Sequence, residues 1–183
     1  QLALPPTDSQ AEFAADTKTG KPAPLRFAVE HQVKVTPETG GAWEQLPEGK
    51  LWRLRIASTG ATDFNLGFAT FWLPDGATLH VIAESEAYCL GPYTARDNKP
   101  HGELWTAVVP GDAAVIELFV PAGATKQPRL VLTRINAGYR DLFHRQKDLP
   151  SPASAGLCNI DVVCPQAAGW SNEVRSVARY SIS

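Results

Sequence analysis

A search for residues that could carry out catalysis finds suitable residue types without the required spacing. The chain has no Gly-x-Ser-x-Gly turn, no His-Glu-x-x-His segment and no Cys-x-x-Cys pair. Its histidines, His31, His80, His101 and His144, are scattered over predicted strands, a loop and a linker. A catalytic histidine needs a nucleophile and an orienting group beside it, so a role in the core or at a sheet edge is favoured for His31, which is predicted to face inward on its strand. An independent enzyme would require a pocket in which His31 or His80 meets a serine and an aspartate.

Metal binding is the next chemistry to consider. His80, Glu84, Glu86 and His101 have suitable side chains, but their spacing matches no standard ligand pattern. They would form a site only if distant loops converged. The sequence therefore predicts no metal site and no cofactor.

The cysteines are odd in number, which leaves at least one without a partner inside the chain. Cys158 and Cys164 are close enough in sequence to bond across a short loop, provided that their Cα atoms approach to roughly 4.4–6.8 Å. Cys89 lies far from both in sequence and is predicted to be a buried structural thiol.

Two other groups of residues have a functional and a structural interpretation. Trp43, Trp52, Trp72 and Trp105 could form a carbohydrate-binding face, but most lie in alternating apolar segments, which favours core packing.

The second group is the basic cluster Arg140, Arg145 and Lys147, which precedes a stretch rich in Pro, Ser, Ala and Gly. This composition is typical of an exposed linker, where proteases usually cut. A merely solvated linker and a processing region both remain open for the cluster.

From residue 25 onward the apolar residues recur with a period of two, which is the period of a strand. Trp52, Leu54 and Ile56, for example, share one face, while Arg53 and Arg55 take the other. Pro and Gly residues separate the alternating segments, as expected for turns. The predicted strands cover residues 27–35, 51–58, 63–72, 78–83, 104–109, 114–120 and 129–135.

Short strands at this spacing predict an all-β fold, an antiparallel β-sandwich with jelly-roll-like topology. In the third predicted strand, the inward face should hold Phe64, Leu66, Phe68, Thr70 and Trp72. The sequence does not fix the order of the strands.

Four segments resemble the precursors of the secreted bacterial lysyl endopeptidases, which are serine proteases of the chymotrypsin fold. TPETGGAWEQLPEGKLWRLRIAS (36–58), FNLGFATFWLPDGATLHV (64–81) and ELWTAVVPGDAAVIEL (103–118) resemble the prodomain of these precursors. LCNIDVVCPQAAGWSNEVRSVARY (157–180) resembles the mature N-terminus of the catalytic domain. The resemblance covers most of residues 27–180.

The resemblance and the composition together divide the chain into four parts. Residues 1–24, rich in Pro and polar residues, are predicted to be a mobile lead-in. Residues 25–143 should form the β-sandwich propeptide domain, and residues 144–157 the processing linker. By resemblance, residues 158–183 are the truncated N-terminal strand of a chymotrypsin-like β-barrel domain.

The same resemblance implies the function of a propeptide, which assists folding of the protease and blocks its cleft until the linker is cut. The linker residues in question are Arg145, Lys147, Ala155 and Gly156. The implied partner is the cognate catalytic domain, whose family acts on peptides and proteins, with cleavage after lysine.

The resemblance also bears on catalysis and on the cysteines. The family's histidine, aspartate and serine lie in TAAHC-like and GxSGSP-like regions that this sequence lacks, so no catalytic residue is assigned and the chain alone should be inactive. Cys158 and Cys164 match half-cystines that bond, in the family, to cysteines deeper in the catalytic domain.

Composition limits the alternatives. With 183 residues and 44% hydrophobic residues, the chain is large enough for a real core. Its formal charge of −2 argues against nucleic acid or an anionic membrane as a partner, and no apolar run approaches the roughly 20 residues that span a bilayer. The family implies a secreted, extracellular location. The alternative hypothesis is a non-catalytic β-sandwich for binding or adhesion, with a vestigial protease-like tail.

Overall fold

The computed structural model of the protein describes residues 1–18, 26–85 and 87–141. All of these belong to one compact unit, Gln1–His144. The elements, in chain order, are β1 (Leu2–Ala3), α1 (Ser9–Lys18), β2 (Ala28–Val35), β3 (Ala42–Leu46), β4 (Gly49–Ala57), β5 (Asp63–Trp72), β6 (Thr78–Ala83), β7 (Cys89–Tyr93), β8 (Leu104–Trp105), β9 (Val109–Pro110), β10 (Ala113–Pro121) and β11 (Arg129–Gly138). A short 3-10 helix, Ala95–Asp97, follows β7.

The strands form two sheets. One has the order β1-β4-β10-β6-β7, with β3 also paired to β4, and the other has the order β2-β11-β5-β8, with β9 also paired to β5. Every pairing is antiparallel except that of β1 with β4. The predicted all-β class with antiparallel sheets is therefore confirmed, whereas the jelly-roll topology stays a prediction. The predicted chymotrypsin-like strand lies outside the described residues.

One hydrophobic core joins the two sheets. Leu54 and Ile56 of β4 and Leu118 of β10 enter it from the larger sheet, and Phe64 and Ile135 enter it from the other. The alternation predicted for β4 is confirmed, since its core residues are buried and Arg53 is exposed. Removal of this apolar surface from water supplies the main stabilisation of the fold.

The alternation predicted for β5 is wrong in its second half. Phe71 is 1% exposed and belongs to the core, whereas Trp72 is only partly buried. The reason is a pair of register irregularities where β5 meets β11, near Leu132. A bulge inserts an extra residue, and every later side chain then changes face.

The strand predicted over residues 104–109 is two short strands, β8 and β9, and the sequence analysis missed β3 and β7. β3 has four exposed residues out of five, and β7 contains Gly91 and Pro92. Neither strand has an alternating apolar face. Backbone pairing with β4 and β6 holds them in place instead.

The prediction of a mobile lead-in is wrong for residues 1–18. β1 pairs in parallel with the end of β4, and the amide of Leu4 donates to the carbonyl of Ala57 at 2.8 Å. The buried hydroxyl of Ser58 donates to the carbonyl of Pro5 at 2.7 Å and lies 3.0 Å from Thr7 Oγ1. Composition predicted too little order for this segment, because the contacts that order it are with residues distant in sequence.

Cys89 also departs from its prediction. It is an exposed free cysteine at the start of β7 and not a buried thiol. An edge strand with mostly exposed residues offers no interior position for it. Among the described residues, the structure has no helix with the length and apolar character needed to cross a membrane.

Candidate functional site

The site residues predicted from the sequence lie outside the part of the chain that the structure describes. These are Arg145, Lys147, Ala155, Gly156, Cys158 and Cys164. The candidate site in the described part is therefore the place where the chain leaves the sandwich towards them. We call residues 138–141, at the end of β11, the exit segment.

Those histidines and acidic residues considered for catalysis or metal binding that the structure describes do not converge on a site. His31 lies on β2 and His80 on β6, in different sheets. Glu84 is engaged by Arg55 through two hydrogen bonds, of 2.6 and 2.9 Å. Over residues 1–18, 26–85 and 87–141, no group of three or more His, Cys, Asp or Glu side chains is placed to hold a metal ion.

The exit segment begins with an anchored aromatic residue. Tyr139 is 2% exposed, and its amide donates to the carbonyl of Phe27 at 2.9 Å. Its ring meets the ring of Phe13 edge to face, with a centroid distance of 5.5 Å. Phe13 lies on α1, so the first helix packs directly on the end of the last strand.

Charged groups complete this contact. The hydroxyl of Tyr139 donates to Asp16 Oδ2 at 2.8 Å, and the Arg140 guanidinium donates to the same oxygen. Arg26 bridges Asp16 at 3.1 Å and Glu12 at 2.9 Å. We call this group of side chains the α1 clasp; its members are Glu12, Phe13, Asp16, Arg26, Tyr139 and Arg140.

The structure shows that Arg140 is not part of a solvated linker, which was one of the two interpretations left open for the basic cluster. Its side chain is only 13% exposed. The guanidinium lies 4.7 Å from the ring centre of Phe13 and also donates through Nε to the carbonyl of Arg26. A guanidinium with several donors in a fixed plane suits such combined contacts. Arg140 therefore belongs to the folded domain.

The electrostatics of the clasp centre on Asp16. Burial by itself would raise the pKa of Asp16, but hydrogen bonds from Tyr139 and Arg140 and the charges of Arg140 and Arg26 outweigh it and lower the pKa below 3.8. A depressed folded pKa means that Asp16 stabilises the fold above its unfolded pKa. That contribution is lost as the pH falls through the folded pKa.

A second carboxyl group lies behind the exit segment. Asp63, at the start of β5, is 1% exposed, and it accepts a hydrogen bond from Thr62 Oγ1 at 2.7 Å. Burial raises the pKa of Asp63, and the charge of Asp141 adds to this, while the bond from Thr62 opposes it. A Cβ on Gly138 would lie 2.3 Å from both carboxylate oxygens, so glycine is required there.

A second exposed feature is the indole of Trp105, which lies in the segment WTAVVPG of the resemblance described above. Trp105 is 44% exposed, and its ring covers Gly67 of β5, where a Cβ would lie 2.7 Å from the ring. Thr106, which is buried, exchanges hydrogen bonds with the backbone of Leu66, at 3.0 and 3.1 Å. Thr106 thus fixes the backbone next to the exposed indole.

The core assignment of the tryptophans is correct for Trp52, which is 2% exposed, and wrong for Trp43 and Trp105. Trp43 is 39% exposed on β3, and its indole donates to the carbonyl of Pro37 at 3.0 Å. Short edge strands put these residues on the surface, which alternation alone does not reveal.

Comparison with known proteins assigns this two-sheet domain to the N-terminal regions of protease precursors. The family model described as Lysyl endopeptidase N-terminal domain matches residues 2–134, and the chain belongs to this family. The match includes α1 and ends within β11, four residues before the exit segment begins.

A curated relative agrees with the family. Lysyl endopeptidase of Pseudomonas aeruginosa is 28% identical over 199 aligned positions, which cover 97% of this chain and 40% of that protein. The chain therefore spans less than half the length of this relative. No solved structure matches the chain.

The sequence alone does not reveal the α1 clasp, because the two halves of the clasp are far apart in the chain. Asp16 and Arg140 are separated by 124 positions. The only local signal was a helix start at Asp8, whose side chain accepts hydrogen bonds from the amides of Gln10 and Ala11. No signal in the sequence pointed from that helix to Tyr139.

Proposed function

We propose that this domain is the propeptide of a secreted serine endopeptidase precursor, and that it assists folding of the catalytic domain and inhibits it until the linker is cut. The observation that carries the proposal is the family match over residues 2–134. The relative named lysyl endopeptidase, of which the chain covers 40%, supports a catalytic domain as the partner and peptide bonds as its substrate.

Folding assistance has a physical basis in the topology of such proteases. A β-rich protease depends on contacts between residues far apart in sequence, so it folds slowly. A preformed surface that binds the native arrangement lowers the cost of closing those loops. The sandwich, with a hydrophobic core that joins both sheets, offers a preformed surface suited to that role.

The covalent connection would strengthen inhibition by keeping the propeptide next to the catalytic domain. The exit segment leads into the linker, in which we propose Arg145, Lys147, Ala155 and Gly156 as the processing region. Cutting there would turn an intramolecular contact into a bimolecular one and so weaken it by dilution.

The cysteines of the tail fit the same proposal. Cys158 and Cys164 would bond to cysteines of the catalytic domain, so that the tail belongs to the mature enzyme and not to the propeptide. Secretion into an oxidising compartment is part of the proposal, because such bonds persist there.

Refolding of the cognate protease tests the folding role. The denatured mature enzyme is diluted with or without the full 183-residue chain, and the native fraction is measured by near-ultraviolet circular dichroism. We expect a higher native yield with the chain. The Leu118→Asp variant, which places a charge in a fully buried position, is the matched control and should give no gain. Equal yields with both chains would contradict the folding role.

A binding module is the second candidate function, and the exposed indoles of Trp43 and Trp105 favour it. Exposed aromatic side chains bind both protein surfaces and sugars. Binding of immobilised polysaccharide that is lost in Trp105→Ala, with no binding of the protease, would support this candidate over the propeptide.

A further inference from the structure

The peptide bond between Arg140 and Asp141 has the sequence of a site for proteases that cut after a basic residue. Such enzymes insert the arginine or lysine side chain into a pocket that ends in a carboxylate. They also need several residues around the bond to be extended and free of other partners. Neither condition is met in the folded domain.

The side chain of Arg140 is already bound. Asp16 supplies the carboxylate, the carbonyl of Arg26 accepts from Nε, and the ring of Phe13 covers the guanidinium plane. These contacts occupy the same donors that a protease pocket would use. Arg26, by comparison, has a side chain that is 52% exposed although it shares Asp16.

The backbone on both sides of the bond is also held. Tyr139 is buried and its amide is bonded to Phe27, while the amide of Asp141 donates to Thr62 Oγ1 at 3.1 Å. Asp141 has a φ of 25°, which is far from the extended conformation of a bound substrate. Cleavage would require the exit segment to leave the sandwich.

We propose that α1 helps to determine where the precursor is cut: the docked helix holds the Arg140 side chain and so masks it as a cleavage site, which leaves basic-specific proteolysis to the linker beyond it, and release of the helix makes the Arg140–Asp141 bond easier to open and cut. The inference rests on the proposed function only for its role in precursor processing. The masking of Arg140 itself is argued from the contacts above. The enzyme that would act on this bond is a protease that requires a cationic residue immediately before the bond it cuts.

Limited digestion of the full chain with trypsin tests this inference. Fragments are identified by mass, so that cleavage after Arg140 is distinguished from cleavage at every other lysine or arginine. We expect slow cleavage after Arg140 in the native chain. Asp16→Asn and Phe13→Ala should each raise its rate roughly tenfold, because cleavage follows the population of the opened segment.

Matched controls separate release of the clasp from general unfolding. Glu44→Gln removes a carboxylate from another arginine, Arg53, on an exposed edge, and should leave the rate after Arg140 unchanged. Cleavage after Arg55, inside β4, reports unfolding of the sandwich and should stay slow in all variants.

Three outcomes would overturn the proposal. They are rapid cleavage after Arg140 in the native chain, no acceleration in either clasp variant, and acceleration that is matched by cleavage after Arg55. The assay uses no cognate protease, so its failure is distinct from failure of the propeptide role.

Discussion

Asp63 is the buried residue whose charge state should affect stability most directly. Its folded pKa is raised by burial, so between pH 3.8 and that value the folded state holds more protons than the unfolded state. Stability in this interval falls as the pH rises. The loss is complete once the pH exceeds the folded pKa.

Asp63→Asn removes this titration while keeping an oxygen that can accept from Thr62. We expect the variant to be more stable than the parent at neutral pH, with a rise in Tm of roughly 2–4 °C for each kcal/mol gained. The difference should shrink towards acidic pH. Thermal unfolding followed by circular dichroism across pH measures it.

The control for Asp63→Asn is Asp75→Asn, at an exposed position, which should change stability by less than about 0.5 kcal/mol at any pH. Equal stability of Asp63→Asn and the parent at neutral pH would show that the ionised, buried carboxylate does not destabilise the fold.

Gly67 supports the exposed Trp105 through close contact. A Cβ at this position would lie 2.7–2.9 Å from three atoms of the ring, so Gly67→Ala must displace the indole. We expect a loss of about 1–3 kcal/mol in the free energy of unfolding. Gly123→Ala, where a Cβ would meet nothing within 4 Å, is the matched control and should be neutral. Denaturant unfolding of the pair measures the difference, and equal effects would contradict the contact.

At the scale of elements, the N-terminal segment depends on Ser58 at the end of β4. This buried hydroxyl is hydrogen-bonded to both Pro5 and Thr7. Ser58→Ala should cost about 1 kcal/mol and increase amide exchange in β1, whereas Thr125→Ala, on an exposed loop, should do neither. Hydrogen exchange with mass readout measures both. Unchanged exchange in β1 would mean that the segment is held by other contacts.

The strands that the sequence predicts well are those whose one face enters the core. In β4, for example, Leu54 and Ile56 alternate with arginines, and burial enforces that register. Prediction fails where pairing alone builds an element, as in β3, or where a bulge shifts the face, as at Phe71. These features depend on neighbours that a local pattern does not encode.

The candidate site is even harder to predict from local sequence patterns than these strands are. In the sequence, Arg140 groups with Arg145 and Lys147 in a basic cluster, and this grouping hides its role in the folded domain. Its partner Asp16 lies on a helix near the other end of the sequence. Only the packing of α1 on β11 brings Asp16 and Arg140 together, and no sequence pattern predicts that packing.

For the whole molecule, the proposed division into sandwich and linker predicts an order of proteolysis. A protease of broad specificity should first cut within residues 143–156 and only later within residues 27–135, where strands and core protect the backbone. Mass analysis of early fragments identifies the sites. A first cut inside the sandwich would contradict the proposed boundary.

As a propeptide, the domain is proposed to bind and inhibit the catalytic domain of its own precursor. The most direct measurement is the initial rate of peptide hydrolysis by the mature cognate protease, with the full chain added in increasing concentration. We expect a saturable loss of activity at or below micromolar concentration, which the Leu118→Asp chain, destabilised by a buried charge, should not produce. Full activity at micromolar chain, with the sandwich shown to be folded, would contradict it.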